Sequence, residues 1–137
     1  MPIRRVDVFF YGLFMDQELL RVKGVRPAAV RLASVQGFQL RIGQRASLVP
    51  DHSGCVHGVV VSLSRPELEQ LYSEPSVRAY QAEAVLAHIS GGDVIAALCF
   101  NLDQPPLSNE HNPEYVAKLR VVAKQVGLPE EYVASIR

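Results

Sequence analysis

The apolar positions of this chain switch repeatedly between the two-residue period of strands and the longer period of helices, and glycine, proline or a short polar cluster marks most switches. Val6 to Tyr11 is an aromatic and β-branched run that stops at Gly12, which predicts a buried strand opening into a loop. Asp16 then caps a short predicted helix that starts within Gln17-Glu18-Leu19-Leu20 and stops at Gly24. Strand-like pieces follow at Ala29 to Val35, Phe38 to Ile42, Ser47 to Pro50 and Cys55 to Leu63. They are punctuated by Gly37, by Gly43 and by an Asp51-His52-Ser53-Gly54 turn, so consecutive antiparallel strands are expected.

Ser64-Arg65-Pro66-Glu67 carries a helix-start signature, because a serine at the cap and a glutamate three residues later satisfy each other's free backbone donors. The helix is predicted over Pro66 to Tyr72. Strand character returns at Ala79 to Ile89, turns at Gly91-Gly92 and comes back over Val94 to Leu102. Residues 103–111 are rich in Pro, Ser and Asn and read as a surface loop. Pro113 opens a helix with Tyr115, Leu119, Val122 and Val126 at helical spacing. Gly127 stops it, and Pro129 starts a last helix ending near Ile136. Regular βαβ units are missing, so the expected class is α+β: a curled, mostly antiparallel, barrel-like sheet flanked by short helices.

Composition narrows the function classes. With 137 residues, 48% hydrophobic and 20% charged, the chain suits one domain over residues 1–137 with a real core. Fourteen basic residues balance fourteen acidic ones, leaving no field to attract nucleic acid or anionic lipid. No apolar run is long enough to span a bilayer. The start, from Met1 through Ile3 and Arg5 into an apolar strand, lacks the pattern of a secretory signal, so a cytoplasmic location is expected. Cys55 and Cys99 both lie in strand-like stretches and read as reduced, buried thiols.

Phosphate-cradling glycine loops, nucleophile elbows and dinucleotide fingerprints are absent. Cys55 and His57 gather near His52, but their spacing across a turn does not suit zinc, and a strand face shared with Val59 and Val61 explains them better. No metal site and no cofactor are expected. One acidic residue stands out. Pro75 biases Glu74 toward an extended conformation, so its carboxylate projects from a helix-to-strand junction, although a lone loop glutamate is most often a solvated surface charge.

Four landmarks, in order, resemble the γ-glutamylcyclotransferase-like family, which includes the plant avirulence-induced proteins and the γ-glutamylamine cyclotransferases. Val8-Phe9-Phe10-Tyr11-Gly12-Leu13-Phe14-Met15 is similar to the family's opening strand and Tyr-Gly loop. Val56-His57-Gly58-Val59-Val60-Val61-Ser62-Leu63 is similar to its central strand, and Leu71 to Tyr80 to the segment holding the catalytic glutamate. Tyr115 to Ile136, with Gly127-Leu128-Pro129-Glu130-Glu131-Tyr132, resembles the C-terminal helices of several branches. Many members carry a small or polar residue after Tyr-Gly, where this chain has Leu13 and Phe14.

The resemblance implies a cofactor-independent enzyme that closes a γ-glutamyl amine or amino acid into 5-oxoproline and releases the free amine. It assigns the proton shuttle to Glu74, and substrate contact to Tyr11, Gly12, Leu13, Phe14 and Tyr80. The Gly12 and Leu13 N–H groups would hold the glutamyl carboxylate or the developing oxyanion. For the two tyrosines, core packing with a satisfied hydroxyl is an equal alternative. Leu13 and Phe14 motivate a second alternative, a small-molecule-binding module that keeps the fold without the chemistry. The expected partner is a small γ-glutamyl molecule rather than nucleic acid or membrane. The departing amine and the oligomeric state stay open.

Overall fold

A computed structural model describes residues 4–137, so Met1 and Ile3 fall outside the described residues. Strand β1 (Arg5–Phe10) opens the chain and helix α1 (Gln17–Val22) follows, with Asp16 Oδ1 accepting from the Glu18 N–H at 3.0 Å. Two long strands come next, β2 (Ala28–Ile42) and β3 (Ala46–Ser64), then α2 (Arg65–Leu71). The hairpin of β4 (Tyr80–Ile89) and β5 (Val94–Leu102) precedes α3 (Pro113–Val126) and α4 (Glu130–Ser135). Gly91 and Gly92 both take left-handed φ at the hairpin, which is why two glycines stand there.

The strands close into a barrel in the order β1-β3-β2-β4-β5. All neighbours are antiparallel except β1 and β5, which meet in parallel at Val8 and Leu98. The sheet is therefore mostly antiparallel and barrel-like, as expected, with one parallel seam. Val59, Val60 and Val61 in β3 are all fully buried. A strand buried on both faces loses the polar–apolar alternation of a half-exposed one, and this part of β3 accordingly reads Val59-Val60-Val61 without a polar break. Helix α2 packs on β3 and α3 on β2, outside the barrel.

The Asp51-His52-Ser53-Gly54 turn does not separate two strands, which corrects the sequence-based division. Gln36 pairs with Cys55 and Phe38 with Pro50, so Gly37 alone faces four residues of β3. Asp51 Oδ1 does accept from the Ser53 N–H at 3.2 Å, the local turn that the sequence signalled. The ladder nevertheless resumes beyond it, because Gly37 takes a φ of 90° and absorbs the mismatch as a bulge. The predicted pairs of short strands are thus the two long strands β2 and β3.

The capping box is present. Ser64 Oγ accepts from the Glu67 N–H at 3.3 Å, while Glu67 Oε1 accepts from the Ser64 N–H at 3.0 Å. Glu67 Oε2 also accepts from the Arg26 N–H at 2.7 Å, tying the segment after α1 to the start of α2.

Cys99 is fully buried, whereas Cys55 is exposed, so the expectation of two buried thiols is corrected for Cys55, which the Asp51–Gly54 bulge carries to the surface. Burial pushes the Cys99 thiol up to about 12, which removes its reactive thiolate at neutral pH. A thiol-titrating reagent under native conditions is expected to modify Cys55 rapidly and Cys99 only after unfolding. Two fast-reacting thiols would contradict this burial.

Candidate active site

The first wall of the site is built where β1 ends. Tyr11 continues the strand direction, Gly12 is extended, and Leu13–Met15 form one 3₁₀ turn closed by the Met15 N–H donating to the Gly12 carbonyl at 3.0 Å. Met15 is fully buried and anchors that turn. Gly12 permits a close approach, since a Cβ there would lie 2.8 Å from the Tyr115 hydroxyl and would push that side chain away. The Leu13 amide faces the same hydroxyl. Burial, and less so the electrostatic influence of Tyr80, raises the Tyr115 pKa, while the Leu13 amide works in the opposite direction.

The second wall is the segment between α2 and β4. The Glu74 carbonyl accepts from the N–H groups of Val77 at 3.0 Å and Arg78 at 2.9 Å, which fixes a tight turn directly after α2. Pro75 within this turn lacks an N–H and therefore leaves no donor of its own to satisfy. The Glu74 side chain leaves the turn toward α1. Lys23, the residue that ends α1, donates from Nζ to Glu74 Oε1 at 2.8 Å and Oε2 at 2.7 Å.

These walls enclose a cavity of about 370 Å³. Tyr11, Gly12, Leu13, Phe14, Glu74 and Tyr80, the six residues singled out from the sequence, all line it. Phe14 does not fill the space. It packs edge-on against Phe10 and Tyr72, each ring centroid 5.7 Å away, and becomes part of the wall. Glu74 is less enclosed than a fully desolvated base would be, with 41% of its side chain exposed.

The hydroxyls of the two predicted tyrosines are engaged by the protein itself. Tyr11 Oη donates to the Phe100 carbonyl at 2.7 Å and lies 3.0 Å from Asn101 Oδ1, while Tyr80 Oη donates to the Ala46 carbonyl. Their contribution to the cavity is therefore mainly ring surface. Buried Asn101 spends Oδ1 also on the Leu48 N–H at 3.1 Å and Nδ2 on Glu83 Oε1 at 2.5 Å, joining β3, β4 and β5 beneath the cavity floor. Burial raises the pKa of Tyr11, Tyr72, Tyr80 and Tyr115 alike, so these four phenols are neutral near pH 7. The charged residues lining the cavity are then Lys23, Glu74 and Arg45.

Lys23, Arg45, Tyr72 and Tyr115 were not identified from the sequence as site residues. Lys23 is 51 positions from Glu74, and no local pattern links them. Tyr115 signalled only a helix face; its hydroxyl reaches Gly12 because α3 packs on the 3₁₀ turn. A second hollow of about 510 Å³ lies between β2 and the C-terminal segment and contains none of the six predicted residues. Its carboxylate, Glu110, is occupied by the Leu107 N–H at 2.6 Å. Among the described residues no group of three His, Cys, Asp or Glu side chains is placed to hold a metal ion, and no helix is long and apolar enough to cross a membrane.

The arrangement joins one anchored carboxylate, a backbone turn with a close-packed glycine and a largely aromatic enclosure. Comparison with known proteins gives it a context. A family model described as gamma-glutamyl cyclotransferase, AIG2-like, matches residues 8–118. A solved structure described as a gamma-glutamyl cyclotransferase is similar, with a TM-score of 0.80 and 21% identity, covering 98% of this chain and 89% of that one. An uncharacterized protein from Homo sapiens has a TM-score of 0.80 at 22% identity, covering 97% and 88%. YkqA from Bacillus subtilis has 0.78 at 21%, covering 96% of this chain and 52% of its own. At such identities these likenesses are of fold. No curated protein matches the chain significantly.

Proposed function

The chain belongs to the gamma-glutamyl cyclotransferase, AIG2-like family, and on that footing we propose that it converts a γ-glutamyl amino acid or amine into 5-oxoproline and the free amine. The observation that carries this reading is Glu74, whose carboxylate is anchored in the wall of the cavity that the Tyr11-Gly12-Leu13 segment also lines.

The reaction is intramolecular. The substrate's α-amine attacks its own γ-carbonyl carbon, a new C–N bond closes the five-membered lactam, and the C–N bond to the departing amine breaks. No water is consumed and no cofactor takes part. Attacker and target are already tethered, so folding the chain into the attacking conformer supplies much of the acceleration. The aromatic walls formed by Phe10, Phe14 and Tyr72 give that folded chain an apolar surface to pack against.

The proton movements remain. The α-ammonium gives a proton to Glu74, which passes it to the departing nitrogen as that C–N bond breaks. The ring nitrogen then gives its second proton to the same carboxylate, which releases it to the freed amine, so Glu74 acts as base and then as acid. The oxyanion that develops on the γ-carbonyl oxygen is met by backbone N–H groups of the Gly12-Leu13 turn. The Leu13 amide, which interacts with the Tyr115 hydroxyl, belongs to the segment that lines the cavity.

Purified protein is expected to form 5-oxoproline from at least one class in a panel of γ-glutamyl amino acids, γ-glutamyl amines and glutathione. Silence across the panel, with the ligands still binding, would replace this reading by the binding-module alternative. Silence without binding would remove both.

A further inference from the structure

Resting on this reading, we propose that Lys23 and Glu74 together receive the α-amino acid head of the substrate, Lys23 taking the α-carboxylate while Glu74 takes the α-ammonium. The contact between Lys23 Nζ and both oxygens of Glu74, at 2.8 and 2.7 Å, makes a two-charge acceptor in the cavity wall. A γ-glutamyl group carries its ammonium and carboxylate on one carbon, so the two must bind side by side. A cation and an anion in contact present that same pairing in reverse.

Bonding capacity remains on both partners. An ammonium has three donors and Lys23 uses two of them on Glu74, while a carboxylate has about four acceptor positions. The pair can therefore hold a second, oppositely arranged pair without coming apart. In the absence of substrate, each charge satisfies the other. The side chains are 23% and 41% exposed, so the acceptor is reachable from the cavity rather than sealed in the core.

Lys23 is also held in place. As the residue ending α1 it donates its N–H to carbonyls of the preceding turn, and its own carbonyl accepts from Gln70 Nε2 at 3.0 Å. The ammonium thus extends toward Glu74 from a backbone anchored to both α1 and α2. The other cation of the cavity, Arg45, lies at the β2–β3 connection, where it opposes the burial-driven rise in the Tyr80 pKa. It belongs to a different part of the wall. The neutral tyrosines offer a carboxylate no charge, so Lys23 is the cation placed beside the reacting amine.

The test removes the contact from each side. Wild type, Lys23→Met and Lys23→Arg are assayed on γ-glutamylalanine and on 4-aminobutanoylalanine, which lacks only the α-carboxylate and closes to 2-pyrrolidinone by the same step. Loss of a charge-assisted hydrogen bond is expected to cost Lys23→Met roughly tenfold in kcat/KM on γ-glutamylalanine, mostly through KM, with a much smaller change on 4-aminobutanoylalanine. Lys23→Arg is expected to recover part of the loss. NMR titration of the wild type and Lys23→Met with 5-oxoproline and 2-pyrrolidinone reads the same contact without turnover, the substitution being expected to weaken the first ligand and not the second.

An equal loss on both substrates would make Lys23 a support for Glu74 alone and overturn the proposal, as would an unchanged preference in Lys23→Met. Either result leaves the cyclotransferase reading standing if the wild type still forms 5-oxoproline. No product from the wild type would remove that reading and this inference with it.

Discussion

Replacing Glu74 by Gln is expected to slow 5-oxoproline formation by about 10²- to 10⁴-fold, the usual worth of a positioned general acid–base. The amide keeps the size of the side chain and its hydrogen-bonding reach, so the substrate still meets a polar group at the same place. It cannot accept a proton from the α-ammonium and hand one to the departing nitrogen. The ion pair with Lys23 is lost as well, but both side chains are partly exposed. Water therefore compensates, and the stability cost is expected to stay below about 1 kcal/mol. The measurements are initial rates on the best γ-glutamyl substrate, a thermal melt and an NMR titration with 5-oxoproline. Turnover near the wild-type rate would remove Glu74 from the chemistry, whereas loss of melting stability together with turnover would make its role structural.

Gly58→Ala is expected to destabilise the fold by about 3 kcal/mol, at the upper end of what overpacking a core costs. A Cβ at this position would stand 2.2 Å from the Phe10 carbonyl oxygen and 2.9 Å from the Phe9 ring. The nearer obstacle is backbone, so no rotamer change relieves it. Strands β1 and β3 must separate at the end of their ladder, which runs from Phe10 with Val59 to Arg5 with Ser64. The displacement also reaches the site, because Phe10 leads directly into Tyr11 and Gly12, whose approach to the Tyr115 hydroxyl leaves no slack. A raised KM is therefore expected in whatever fraction stays folded. Gly37→Ala is the contrasting case: nothing lies within 4 Å of its Cβ position, and the cost there is about 1 kcal/mol for a left-handed φ. Urea unfolding of the three proteins checks the ranking, and equal midpoints for Gly58→Ala and the wild type would contradict the contact.

Much of the fold was legible because its signals are local. Ser64 and Glu67 cap each other within one helical turn, and Pro113 starts α3 as Gly127 ends it. Gly91-Gly92 imposes its turn whatever surrounds it. Where a local signal misled, a long-range pairing overrode it. Asp51 to Gly54 does make its turn, but the residues on either side stay paired to β2, so one strand continues where two were expected. Cys55 emerges at the surface for the same reason, since a bulge changes which way the neighbouring side chains point.

The site divides along the same line. Glu74 and the Tyr11-Gly12-Leu13-Phe14 segment were singled out through the family resemblance of the stretches that hold them, and both stretches line one cavity. Lys23 carried no pattern: a lysine before a glycine at a helix end is common, and only the packing of α1 near the end of α2 brings it to Glu74. Tyr115 was recognisable as a helix-face residue and not as the hydroxyl that closely approaches Gly12. The amino-acid sequence by itself determined the kinds of element, their order and the turn and stop glycines at Gly91, Gly92 and Gly127, because caps, turns and alternation act over a few residues. Closure of the barrel through the parallel contact of β1 with β5, and the charge pairing of Lys23 with Glu74, were decided only in the tertiary structure. Both depend on contacts between distant segments, which no local pattern encodes and which form only as the whole core is buried together.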